Sequence, residues 1–291
     1  MTTATEALSG KTHRDENFPV ASWLVSARHR RPILAFYRFV RAADDVADHP
    51  SLSATRKLAT LDALGEALCG GGPRDAEAEP LRLALRERGL GPRHALDLLD
   101  AFRLDVRKSR YADWAELMDY CRLSAAPVGR FVLDVHGEDE ALWPASDALC
   151  AALQVINHLQ DCGEDYRRLD RVYLPEDILA AHGASTETLG AARASPALRA
   201  AIAEIGRRAS ELAERGAGLV PEIANVRLAL EIAAIQSLAR RLARGLESRD
   251  PLSQPVHLGK AGFLWVGGVG VLRGLAAKLM RAAGTRPKVR R

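Results

Sequence analysis

Residues 148–165 read ALCAALQVINHLQDCGED, and one face of this stretch decides the fold. Its apolar density is that of a helix enclosed on nearly all sides. Yet Gln154, Asn157, Asp161 and Asp165 lie at offsets of 0, 3, 7 and 11 residues. At about 100° per residue these positions share one narrow stripe. Enclosing two unpaired carboxylates costs on the order of several kcal/mol each, so the stripe must face solvent or a ligand cavity.

Residues 33–48, ILAFYRFVRAADDVAD, repeat the device. Tyr37, Arg41, Asp44 and Asp48 fall at offsets of 0, 4, 7 and 11, with Asp45 beside them. Asp44/Asp48 and Asp161/Asp165 are both i,i+4 pairs, an unfavourable spacing for like charges unless a cation lies between them. Mg²⁺ takes oxygen ligands, keeps several waters and bridges carboxylates to phosphates. Two such pairs on facing helices make a clamp for a diphosphate, in which metal neutralises the leaving group. An apolar bundle beneath would hold a hydrocarbon chain and shield a carbocation from water. An EF-hand loop is excluded, because neither its ligand spacing nor its turn glycine is present.

Outward from these stripes the chain reads as helix. The expected helices cover 33–47, 81–89, 92–107, 113–136, 146–166, 197–216, 221–248 and 258–283. Pro32 and Pro221 are placed at early helix positions, and Ser51 or Ser53 at a cap. Residues 70–80 (GGGPRDAEAEP) and 167–177 (RRLDRVYLPED) read as loops. Residues 1–14 are expected to be disordered, 15–283 to form one helical domain and 284–291 a basic tail. With 47% hydrophobic and 5% aromatic residues, few β-branched runs and no alternating pattern, the fold class is all-α.

The net charge of +4 is spread along the chain and does not imply nucleic-acid binding. Cys69, Cys121, Cys150 and Cys162 lack zinc-ligand spacing and read as reduced thiols. GxSxG, HExxH and P-loop motifs are absent. His158 reads as a packed or hydrogen-bonded side chain. The N-terminus lacks the apolar core of a signal peptide, so the cytoplasm is the expected compartment. No stretch reaches the ~18 apolar residues of a membrane span. The nearest, AGFLWVGGVGVL at 261–272, reads as a final core helix. The alternative is a helix touching the membrane surface, aided by Arg281, Arg286, Lys288, Arg290 and Arg291.

The two stripes resemble the squalene/phytoene synthase family of head-to-head prenyl synthases over roughly residues 15 to 250. Tyr37, Arg41, Asp44, Asp45 and Asp48 match its first motif, and Gln154, Asn157, Asp161 and Asp165 its second. Arg171, Tyr173 and Pro175 match its RxYLP-like segment. The resemblance implies an isoprenoid-synthase helical bundle around a central cavity. It implies two or three Mg²⁺ ions held with substrate diphosphate by the five aspartates. Arg41, Arg171, Tyr37 and Tyr173 would contact diphosphate or steer the ionised intermediate.

Condensing members carry a basic residue before an N-terminal Phe, where this chain has Asp15-Glu16-Asn17-Phe18. Together with DVRKSRY (105–111) and SAAPVGR (124–130), the stretch ENFPVAS (16–22) resembles a bacterial branch serving hopanoid synthesis. That branch ionises presqualene diphosphate and traps the rearranged cation with water, so no NADPH is expected. Asn17, Gln154 or Asn157 would hold the water, and Lys108 and Arg130 are candidate phosphate contacts. Two alternatives stand beside this reading: an enzyme condensing two prenyl diphosphates, and a non-catalytic assembly or lipid-binding relative.

Overall fold

The computed structural model describes residues 25–284. Among these residues the chain forms α-helices and short 3₁₀ turns, without a strand. The helices are α1 (Ala27–Asp48), α2 (Ala54–Cys69), α3 (Ala78–Arg88), α4 (Arg93–Arg107), α5 (Trp114–Ser124) and α6 (Ala126–His136). They continue with α7 (Trp143–Leu169), α8 (Glu176–Ala181), α9 (Pro196–Arg215), α10 (Leu219–Glu222), α11 (Val226–Ser248) and α12 (Lys260–Gly284).

Two apolar cores organise them. The first joins α1 to α4 through Ile33, Phe36, Phe39, Leu61, Leu64, Leu81 and Leu99, with Phe131 of α6 stacked on Phe36. The second joins α5, α7, α9 and α11 through Leu117, Ile156, Leu159, Ile202, Ile205 and Leu242. The polar stripes of α1 and α7 meet at the seam between these cores.

Several boundaries differ from the sequence expectation. α1 starts at Ala27, which puts Pro32 in its interior. The proline cannot donate to the Arg28 carbonyl, and the Arg88 guanidinium takes that acceptor instead. Ser53, not Ser51, caps α2 by accepting from the Arg56 amide. The stretch 113–136 is two helices, broken at Ala125 (φ −125°, ψ −49°), because Pro127 removes a donor where a continuous helix needs one. Pro221 lies in the short α10. Asn225 starts the long α11, its side chain accepting from the Leu228 amide.

The last helix departs most. α12 is not a core helix: Leu264, Trp265, Leu272, Leu279 and Met280 are each more than 60% exposed. Its span Lys260–Ala283 is long and apolar enough, by length and composition, to cross a membrane. It docks on α11 through its small residues. A Cβ on Gly270 would stand 2.6 Å from the Ala233 carbonyl oxygen, and one on Gly274 2.5 Å from the Ala233 Cβ. This Gly270-xxx-Gly274 pair brings the backbones together and turns the large side chains outward.

Candidate active site

Arg41 organises the acidic end of α1. Its Nη1 donates to Asp44 Oδ2 and its Nη2 to Asp45 Oδ1, both at 2.8 Å. Asp45 is thereby buried behind Asp44. Asp48, one turn further on, accepts from Arg171 Nη1 at 2.8 Å.

Arg171 reaches Asp48 because α7 ends abruptly. Asp170 adopts a left-handed conformation (φ 48°), which short polar residues tolerate, and Arg110 grips its carboxylate. The chain then runs back alongside 109–112, with the Val172 amide on Ser109 O and the Glu176 amide on Tyr111 O. That pairing turns Arg171 and Tyr173 inward.

Beneath Arg171 lies a buried network that the motifs did not reveal. Asp105 of α4 accepts from the hydroxyls of Tyr120 and Tyr173, each at 2.8 Å, and Arg171 Nε stands 3.9 Å from its Oδ1. His158 stacks on the Tyr173 ring at 3.6 Å between centroids. The signal for Asp105 was available: it extends the buried stripe of Leu98, Ala101 and Phe102, where an acid is out of place. Tyr120 carried no comparable mark, since a buried tyrosine on α5 reads as core.

These groups line one chamber of about 400 Å³. Its walls carry Arg41, Asp44 and Asp48 from α1 and Gln154, Asn157, Asp161 and Asp165 from α7, with Arg171 and Tyr173 closing it. An adjoining cleft at the mouth adds Asp45, Glu164 and Arg168. The two acidic stripes therefore face one space, as their spacing predicted.

The electrostatics match a site that awaits positive charge. Burial, and then Asp48, push Asp44 up to about 8 against the pull of Arg41. Burial, and then Asp161, push Asp165 up to about 7. Asp105 is raised by burial to about 6, held down by Arg171 and the two tyrosine hydroxyls. Burial and the nearby Arg171 push His158 down to about 3, so its ring is neutral. Among the described residues, no three acidic, histidine or cysteine side chains converge closely enough to hold an ion alone. The all-oxygen donor set still fits a hard divalent cation whose coordination is shared with phosphate.

Asn157 also lines a second chamber of about 300 Å³, bounded by apolar side chains of α1, α6, α7 and α11. Tyr37 faces this chamber and does not line the acidic one. Gly129 forms part of its wall, where a Cβ would stand 2.6 Å from Cys150 Sγ. One charged side chain, Glu231 of α11, lies among the described residues of this wall.

Two candidate phosphate contacts are placed elsewhere. Arg130 lines neither chamber: its Nε donates to Asp147 at 2.9 Å, and its guanidinium lies 4.8 Å over the Trp143 ring. Lys108 is paired with Glu116 and lines a neighbouring cleft with Lys57, Asp48 and Arg171. Asn17 lies outside the described residues.

A profile of the squalene/phytoene synthase family matches residues 11–261. The hydroxysqualene synthase of Rhodopseudomonas palustris is 58% identical over 89% of this chain and 88% of its own. That of Sinorhizobium fredii is 52% identical over 99% of this chain and 98% of its own. The crystal structure of squalene synthase HpnC from Alicyclobacillus acidocaldarius superposes with a TM-score of 0.71 at 31% identity. The match covers 84% of this chain and 91% of that one. An acidic chamber opening onto an apolar one, built from the two aspartate stripes, thus occurs in a chain that belongs to the squalene/phytoene synthase family.

Proposed function

We propose that the chain converts presqualene diphosphate to hydroxysqualene and diphosphate, as a carbon–oxygen lyase. The observation that carries this reading is the junction at Asn157, where an acidic chamber meets an apolar one. A diphosphate fits the first and its hydrocarbon chains the second. The hydroxysqualene synthases of R. palustris and S. fredii, similar along most of the chain, support the choice of product.

Mg²⁺, held with the diphosphate by Asp44, Asp48, Asp161 and Asp165 and backed by Asp45, supplies the neutralising charge that lets the leaving group depart. The protein's own groups do the rest. Arg41 and Arg171 add fixed positive charge beside the departing oxygens. Asp105 keeps the Tyr120 and Tyr173 hydroxyls oriented at the chamber floor. Gln154 and Asn157 sit at the boundary, where an amide can hold one water. Tyr37 and the walls of α6 and α11 exclude the remainder, which prolongs the life of the rearranging cation. Capture by water leaves no reduction to perform, so no hydride donor enters.

The substrate and product are lipids, and α12 offers a route to them. Its exposed Leu264, Trp265, Leu272 and Leu279 lie near Lys260, Arg273 and Arg281, a pattern suited to peripheral contact with an anionic, cytoplasm-facing leaflet.

The test is product identification. Purified protein with Mg²⁺ and presqualene diphosphate is expected to yield hydroxysqualene without NADPH. The Asp161→Asn variant is expected to keep its fold and lose at least ~100-fold in turnover, about 2.7 kcal/mol of transition-state stabilisation. Conversion of farnesyl diphosphate alone would refute the substrate, and a fully active Asp161→Asn would refute the site.

A further inference from the structure

Glu231 stands in the middle of the α11 wall of the apolar chamber, flanked by Leu228, Ile232 and Ile235, which line the same space. The residue is only 4% exposed. It faces Phe36 and Tyr37 of α1 across the cavity that is to hold the hydrocarbon. An ionised carboxyl group in an apolar wall is unfavourable unless positive charge answers it. At this position a leucine or isoleucine would pack as its neighbours do. The acidic cluster and the metals lie on the far side of Asn157, so the metal site does not account for this carboxylate. What would place positive charge inside the apolar chamber is the substrate itself, after its diphosphate has left.

We propose that Glu231 is the proton acceptor for the water that captures the carbocation, and so sets the enzyme's product as an alcohol. This inference rests on the function proposed above. The balance is simple. The water oxygen forms a bond to the electron-deficient carbon, giving a protonated alcohol. One O–H bond of that oxonium breaks, its electron pair stays on oxygen, and the proton passes to the carboxylate. The products are a neutral alcohol and a neutral Glu231, which returns its proton to solvent when the chamber opens for product release. Before capture, the same negative charge draws the cation toward the α11 wall and holds the water by a hydrogen bond. The amides at the boundary orient the water, and Glu231 makes its attack irreversible.

The test separates ionisation from capture. Wild type, Glu231→Gln, Glu231→Asp and Glu231→Leu are compared on presqualene diphosphate with Mg²⁺, measuring diphosphate release and the ratio of hydroxysqualene to hydrocarbon products. Glu231→Gln keeps the shape and removes the acceptor. It is expected to release diphosphate within about 5-fold of wild type while the alcohol share falls at least 10-fold in favour of alkenes. Glu231→Leu is expected to behave alike, and Glu231→Asp to restore part of the alcohol. An unchanged product ratio in Glu231→Gln overturns the proposal. So does an equal loss of diphosphate release and alcohol formation, the result of a merely structural role. A binding measurement covers variants that fold poorly. A long-chain tertiary ammonium with pyrophosphate and Mg²⁺, as a stable cation mimic, is expected to bind wild type at least 10-fold tighter than Glu231→Gln, and equal affinity overturns the proposal. If wild type fails to turn over presqualene diphosphate, the proposed function is at fault, and the ammonium measurement still judges Glu231.

Discussion

Replacing Arg171 by Met isolates the charge that ties the two aspartate motifs together. The side chain is 9% exposed and serves Asp48 at 2.8 Å, the Tyr173 hydroxyl at 3.3 Å and the Asp105 backbone carbonyl at 3.3 Å. Its Nε stands 3.9 Å from the Asp105 carboxylate, itself 4% exposed. Removing one partner of a buried pair costs about 3–5 kcal/mol. The lower end applies, because Tyr120 and Tyr173 still donate to Asp105. Asp48 is 36% exposed, and the loss of its partner adds no more than about 1 kcal/mol.

The penalty must depend on pH. Asp105 is raised to about 6, above its unfolded value. Its contribution to stability is therefore present at low pH and lost as pH rises through about 6. Arg171 is the cation that restrains this rise, so without it the loss continues to higher pH. At pH 5.5 Asp105 is largely protonated in both proteins, leaving a difference of about 1 kcal/mol from Asp48. At pH 8 the full ~3 kcal/mol appears. With roughly 2–4 °C per kcal/mol for a protein of this size, Tm should fall by about 2–4 °C at pH 5.5 and about 6–12 °C at pH 8. The assay is thermal unfolding by circular dichroism in chelator, at both pH values. Equal falls at the two pH values would mean that Arg171 stabilises by packing alone and would refute the electrostatic account.

Two further outcomes follow from the same geometry. Asp44 and Asp165 are raised to about 8 and about 7, so the stability they contribute to the metal-free protein is lost as pH rises through those values. Thermal melts are expected to show Tm declining from pH 6 to 8.5 in chelator, with the decline abolished by Mg²⁺ and pyrophosphate; a flat profile unaffected by both would count against the clamp. Separately, Leu264→Ser, Trp265→Ser and Leu272→Ser combined are expected to weaken co-sedimentation with anionic vesicles at least 10-fold, about 1.4 kcal/mol, while turnover of detergent-dispersed substrate persists. Unaltered sedimentation would remove α12 from any membrane contact.

The sequence by itself determined the helical class and the two stripes. Offsets of 3, 4, 7 and 11 residues translate directly into one face of a helix, and an acidic face on an apolar helix needs no tertiary information to stand out. It also marked Arg171 and Tyr173, through their motif. It did not separate Arg130, held by Asp147, from the cations that reach the chamber, because a cation's partner is set by which helices pack together. Asp105 meets Tyr120 and Tyr173 only after α4, α5 and the turn at Asp170 converge, across separations of 15 and 68 residues. Glu231 lies on an ordinary amphipathic helix and acquires its meaning only when α1, α6 and α7 close an apolar chamber around it. The outward face of α12 was likewise decided in three dimensions, since Gly270 and Gly274 leave its bulky side chains no room against α11. Periodicity is a local property and is written in the chain, whereas the partner that neutralises a charge, or the cavity that exposes it, is chosen by long-range packing.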